Sequence, residues 1–220
     1  MTKKYSLGLV GRKAGMSRVF TEDGRSIPVT LIEATPNRIT QIKTVETDGY
    51  SAVQLGFGKV KLSRLNKPLI GHQKKAKPEN FVRTLKEFKL DGSEGYQVGT
   101  QIKCDIFSEG DAVDVSGISK GHGYSGVIKR WNQSRLMMSH GAGPVARHPG
   151  SMGANSTPSR VMPGKKLPGH WGVEKVTILN LKVVKVYPDR NVLLVKGGVP
   201  GPKDGIVFIK SAVKGAENQG

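Results

Sequence analysis

The chain has 220 residues, with 35 Lys plus Arg against 17 Asp plus Glu and a net charge of +18. That length suits one ordinary domain with an appendage, and a hydrophobic share of 36%, below a usual ~45–50% that also counts Gly, suggests a modest core with much chain outside it. No run approaches the ~18 apolar residues of a membrane span, the N-terminus lacks the apolar stretch of a signal peptide, and a single cysteine, Cys104, excludes internal disulfides and zinc-finger spacing.

Short period-two segments dominate the first half. Tyr5–Gly11 and Met16–Phe20 read as strands, the second closed by Thr21-Glu22-Asp23-Gly24, whose Asp-Gly is a hairpin-turn signal. Ile27–Glu33 follows as a strand, Arg38–Lys43 alternates imperfectly, Asp48-Gly49 marks a turn, and Tyr50–Phe57 alternates as a half-buried strand. Residues 59–78 are Lys-rich and predict a short helix between Ser63 and Ala76, limited by Pro68 and Gly71. Phe81–Leu90 and Ala112–Val115 read as strands around an acidic, turn-rich stretch. Lys175–Val186, rich in β-branched residues and Leu, is the strongest strand signal. Pro188–Asn191 turns it into Val192–Val195, and Ile206–Ile209 ends the series. Many short strands with Gly, Pro and Asp turns predict an antiparallel β-barrel, because closure removes exposed edges.

The charge is concentrated. Residues 1–58 carry +3, 59–89 carry +8, 90–114 carry −5, 115–173 carry +8 and 174–220 carry +4. The block from Val115 to Val173 contains no Asp or Glu, which chance at this composition would give about once in a hundred tries. It also holds 11 of the 29 Gly, 5 of the 12 Pro, four of the five His, four of the six Met and both Trp. A segment so short of carboxylates and so rich in Gly is built to meet phosphate.

Its motifs fit that reading better than catalysis. Gly121, Gly123 and Gly126 spell G-x-G-x-x-G, but a dinucleotide site needs an acidic residue about 20 positions on, and none occurs before Glu174. A glycine hinge flanked by Lys120, Lys129 and Arg130 suits backbone approach to RNA phosphates. His122, His140, His148 and His170 have no compact ligand spacing and no Cys, Asp or Glu among them, so no metal site is expected. Ser139-His140 lacks an orienting carboxylate. Trp131 and Trp171 lie among Gly, Pro and basic residues, and the stretches at Arg147-His148 and Lys165-Lys166 are extended and cationic, as base-stacking and phosphate-tracking chain would be.

Residues 7–20 (LGLVGRKAGMSRVF), the stretch from Ser119 to Asn132, Pro149-Gly150-Ser151-Met152-Gly153 and residues 192–201 (VLLVKGGVPG) together resemble the bacterial form of large-subunit ribosomal protein L3, nearly end to end. The resemblance implies a barrel of the translation-protein type seated on the large subunit, with a long extension penetrating ribosomal RNA toward the peptidyl transferase center, and an early role in assembly. The family's extension tip matches Asn155, Ser156, Thr157 and Pro158 here. Some bacterial members carry a methylated Gln just before the Thr-Pro; Ala154-Asn155-Ser156 offers none, so that modification is expected to be absent. Ser159 stands where Gly is usual.

The expectation is thus a mainly β protein with little helix. It would comprise a barrel domain at 1–116 and 173–215 with a basic, partly helical insertion at 59–78, a glycine-rich basic extension at 117–172, and a tail at 216–220. Expected RNA contacts are Arg12, Lys13, Arg18, Lys120, His122, Lys129, Arg130, Trp131, Arg135, His140, Arg147, His148, Arg160, Lys165, Lys166, His170 and Trp171. Partners would be large-subunit ribosomal RNA and neighbouring large-subunit proteins in the cytoplasm, with no membrane, cofactor, metal, catalytic residue or small-molecule substrate. The rival readings are a nucleic-acid-acting enzyme and a free RNA chaperone on a basic barrel.

Overall fold

The computed structural model describes residues 8–76, 81–90 and 95–214. The expected start of the first strand at Tyr5 and the tail at 216–220 lie outside them. In chain order the strands are β1 (Gly8–Phe20), β2 (Ser26–Glu33), β3 (Asn37–Lys43), β4 (Ala52–Lys59), β5 (Val82–Lys89), β6 (Gln101–Ile102), β7 (Ala112–Ile118), β8 (Tyr124–Ser125), β9 (Gly169–His170), β10 (Lys175–Tyr187), β11 (Val192–Lys196) and β12 (Ile206–Ser211). The helices are short: α1 (Val45–Asp48), α2 (Lys67–Lys74) and α3 (Val127–Trp131).

Six strands close an antiparallel barrel in the order β1-β12-β7-β10-β11-β2, as expected. The two strands predicted on either side of Arg12–Gly15 are one. β1 runs through, pairing with β12 from Gly8↔Lys210 to Arg12↔Ile206 and with β2 from Arg12↔Glu33 to Phe20↔Ser26, with a bulge between Lys13 and Gly15. The bulge lets a single strand bend from one neighbour to the other, a usual device of barrel closure.

The remaining early strands do not join the barrel. β5-β4-β3-β6 form a separate four-stranded sheet whose inner face shares the barrel's core: Ile39, Val53, Leu55, Phe57 and Phe88 cluster with Leu9, Val10, Ile32, Val115, Leu193 and Ile209. Full burial of each large aliphatic side chain stabilises by about 1.5–3 kcal/mol. Gly8 admits this sheet, since a Cβ there would run into the Phe88 ring and the Ile209 carbonyl. The imperfect alternation of β3 has a cause in a register shift against β4 between Ile39 and Gln41.

The helix expected within Ser63–Ala76 is α2, preceded by a 3₁₀ turn at Leu62–Arg64 and carrying Pro68 in its first turn, where a missing N–H costs nothing. The buried Gln73 amide fixes it, accepting from Val82 N at 2.9 Å and donating to Val82 O at 3.0 Å. Asp48-Gly49 proves to be the end of the one-turn α1, with Gly49 at φ +78. Cys104 is fully buried.

The chain divides into two compact units, Met1–Ile118 with Lys175–Gly220, and Ser119–Glu174. Gly117 and Ile118, expected in the extension, belong to β7, where they pair with Val176 and Lys175 of β10.

Candidate nucleic-acid interface

The 119–174 unit is held together at its two ends. Ser119 N donates to Glu174 O at 2.8 Å, His122 N to Trp171 O at 2.9 Å and Trp171 N to Gly123 O at 3.0 Å. The ladder continues as β8 against β9, Tyr124↔His170 and Ser125↔Gly169. The strands come closest at Gly172, which has φ +86; a Cβ there would strike the Lys120 carbonyl, so only Gly satisfies both the conformation and the space.

After Gly126 the chain enters α3, whose last residues dock on the returning strand. Arg130 Nη1 and Trp131 Nε1 both donate to Leu167 O, at 3.1 and 2.9 Å. The Arg130 guanidinium and the Lys166 ammonium lie 5.0 and 5.9 Å from the Trp131 ring centroid, within cation–π range. His122 stacks on Trp171 with ring centroids 3.9 Å apart. Both indoles therefore have roles within the chain; Trp131 keeps 40% of its surface exposed and Trp171 is half-buried.

Beyond this base, from about 132 to 166, the chain is irregular. Its few internal bonds include Leu136 N to Ala146 O at 3.0 Å, His148 N to Val145 O at 3.0 Å and Lys165 Nζ to Ser151 O at 2.9 Å. Arg135, His140, Arg147, His148, Arg160, Lys165 and Lys166 are all exposed, as are Asn155, Ser156, Thr157 and Pro158. The Thr157–Pro158 bond is cis, and Ser159, in the position where Gly is usual, has φ +59, in the left-handed region that Gly enters without penalty.

Two features define what this unit can do. Val127 is its one buried apolar side chain, whereas Tyr124, Met137, Met138, Met152, Met162 and Val173 are among ten large apolar residues left exposed. The three ion pairs among the described residues, Arg12–Glu33, Arg12–Asp204 and Lys43–Glu87, all lie outside it. Eight Lys and Arg thus stand without a carboxylate partner on chain that has almost no core. No three His, Cys, Asp or Glu among the described residues come together as metal ligands.

The expected contacts on β1 fare differently. Arg18 is exposed. Arg12 is paired with Glu33 at 2.6 Å, and the partly buried Lys13 donates to the carbonyls of Val199 and Gly201 at 2.8 and 3.0 Å, which ties β1 to the 199–201 turn. Sequence reasoning passed over the exposed cations Lys59, Lys61, Arg64, Lys67, Lys74, Lys75 and Arg83 as site residues, although the +8 of that block was their signal.

A closed antiparallel barrel interrupted by a cationic unit whose sole carboxylate is Glu174, at its last residue, is the build of a structural ribosomal protein. The family model described as Ribosomal protein L3 matches residues 89–192. The large ribosomal subunit protein uL3 of Geobacillus thermodenitrificans (strain NG80-2) is 56% identical over 209 residues, covering 94% of this chain and 97% of the relative. That of Geobacillus kaustophilus (strain HTA426) is 54% identical over 212 residues, covering 96% and 97%. The chain belongs to the ribosomal protein L3 family and is a structural constituent of the large ribosomal subunit, not an enzyme.

Proposed function

We propose that the chain binds large-subunit ribosomal RNA mainly through residues 119–174, with the barrel unit as its anchor among neighbouring large-subunit proteins. The tip at Asn155–Pro158 reaches toward the peptidyl transferase center, and the protein acts early in subunit assembly. The observation that carries this reading is the eight unpaired cations on a unit with a single buried apolar side chain. Such a segment gains its stability from what it is buried in. Lys120, Lys129, Arg130, Arg135, Arg147, Arg160, Lys165 and Lys166 neutralise phosphates. His122, His140, His148, His170, Trp131 and Trp171 offer rings and ring nitrogens to irregular RNA, in keeping with shape-based recognition.

With eight phosphates neutralised, log K against log salt should fall with a slope of about −6 to −7. Sedimentation of subunits through high-salt sucrose tests the reading. The protein is expected to stay with large subunits whole and to leave them when 119–174 is deleted. Retention of the deleted form at full strength would place RNA binding elsewhere.

A further inference from the structure

Resting on the RNA-binding reading, we infer that a cleft at the barrel rim receives one RNA nucleotide, with its phosphate held by Arg38 and Lys59. The cleft has a volume of about 460 Å³ and is walled by Arg12 and Glu33 from the barrel and by Arg38, Phe57, Lys59 and Gln101 from the second sheet. That volume falls within the range of small-ligand sites.

Its charges are unevenly satisfied. Glu33, the carboxylate among the lining residues, is taken up by Arg12 at 2.6 Å. Arg38 and Lys59 have no ion pair or hydrogen-bonded side chain among the described residues, and Arg38 Nε is buried without an acceptor. An oxyanion answers both cations, since a guanidinium fork matches phosphate and an ammonium adds a point charge.

The ligand is a nucleotide and not a bare anion because the wall beside these cations is apolar. Pro36, Phe57 and Val82 line it, and Gln101 and Thr35 supply polar groups that can meet a base edge. Topology assembles the cluster: β3 sets Arg38 opposite Gly56 of β4 and Gln101 of β6, and β4 ends at Lys59, opposite Val82 of β5. Arg12 is a positioning residue here, keeping Glu33 from claiming Arg38 or Lys59.

The test uses the full chain at fixed low salt, titrated with uridine 5′-monophosphate, uridine and inorganic phosphate by NMR. The monophosphate is expected to bind at least tenfold more tightly than uridine and more tightly than phosphate. Lys59→Gln, on an exposed side chain that folding does not need, should weaken it five- to tenfold, as should Arg38→Gln where circular dichroism shows the fold intact. Lys196→Gln, exposed on β11 and outside the cleft, should leave it unchanged. Equal binding of uridine and its monophosphate, or an unaffected Lys59→Gln, would overturn the inference. A ribosomal RNA fragment is expected to displace the monophosphate; both bound together would mean that the site serves a free nucleotide and would refute the RNA assignment. Retention on subunits at the same low salt, measured in parallel, separates the two readings: its survival with a failed titration rejects the cleft alone, and its loss rejects RNA binding itself.

Discussion

The His122 imidazole lies flat on the Trp171 indole, with ring centroids 3.9 Å apart and planes 17° from parallel. The two backbones are bridged at the same level by His122 N to Trp171 O and Trp171 N to Gly123 O. The stack therefore closes the end of a short ladder that would otherwise fray. It sits where the two arms of the 119–174 unit come together, the one part of that unit with regular pairing.

Trp171→Ala should loosen this base and leave the barrel alone. An aromatic pair adds about 0.5–1.5 kcal/mol beyond its area, so amide exchange at His122, Ser125 and Trp171 itself should quicken about two- to tenfold in the free protein. Val115 and Ile209, buried in the barrel, should exchange as before. Exchange by mass spectrometry or NMR checks this; equal acceleration in the barrel would show that the base is not an independent element.

A second prediction concerns the buried Asn37. Val10 pairs with Phe208 on one side, but β2 begins its pairing with β1 only at Arg12↔Glu33, so the other side of Val10 lacks a strand. The Asn37 amide takes that place, accepting from Val10 N and donating to Val10 O, both at 3.0 Å. It thereby stitches the second sheet to the barrel. Asn37→Leu would strand both backbone groups at a cost of about 2–4 kcal/mol, a fall in melting temperature of roughly 5–15 °C for a chain of this size. Calorimetry on the full chain reads it directly.

Much of the barrel was legible because its signals are local. The Asp23-Gly24 turn shows as expected, with Gly24 N bonded to Thr21 O at 2.9 Å, and β2, β7, β10, β11 and β12 fall where alternation and β-branched content put them. Pairing partners were not legible, since a period-two pattern does not say which strand lies beside which; the early strands could not be divided between barrel and second sheet. Tyr5–Gly11 and Met16–Phe20 read as two strands, yet a bulge between Lys13 and Gly15 carries one strand through. Side-chain partners were hidden for a related reason. Lys13 counts as a cation in the sequence, whereas in the fold it caps two carbonyls of a turn 186 and 188 residues away. Arg38 and Lys59, twenty-one positions apart, come to line one cleft.

Acid should weaken the second sheet through Glu87. Burial pushes this carboxyl upward, but hydrogen bonds from Lys43 and Tyr50 and the Lys43 charge outweigh burial and hold it below its ordinary value. Lys43 Nζ lies 3.1 Å from Glu87 and 2.7 Å from the Tyr50 hydroxyl, which donates to Glu87 at 2.9 Å. A carboxyl depressed on folding contributes stability that is complete above its unfolded value, about 4.3, and lost as pH falls through the folded value. Lys43 is raised by the same partners, chiefly Tyr50, so its contribution fades only in strong alkali. Urea titrations at pH 7, 4 and 3 should therefore show a loss of stability below about pH 4.3 that Glu87→Gln reduces; an identical acid limb in the variant would assign the loss to other carboxylates.

Salt dependence separates the residues that neutralise phosphate from those that make other contacts. Lys120 and Lys129 are exposed and take part in none of the ion pairs found, so each should release about one counterion equivalent on binding RNA. Replacing both with Gln should flatten the plot of log K against log salt by about 1.4–1.8. Trp131→Ala should behave otherwise. The indole carries no charge, and its removal takes away the bond to Leu167 O and an exposed ring face on which a base can stack, a contact of about 1–3 kcal/mol. Affinity should then fall by a similar factor at every salt concentration with the slope unchanged. Filter binding of a ribosomal RNA fragment across a salt series distinguishes the two. A slope that the double Lys substitution leaves unaltered would mean that these cations face solvent in the complex, and the charge of the 119–174 unit would then have to be explained by its remaining six basic residues.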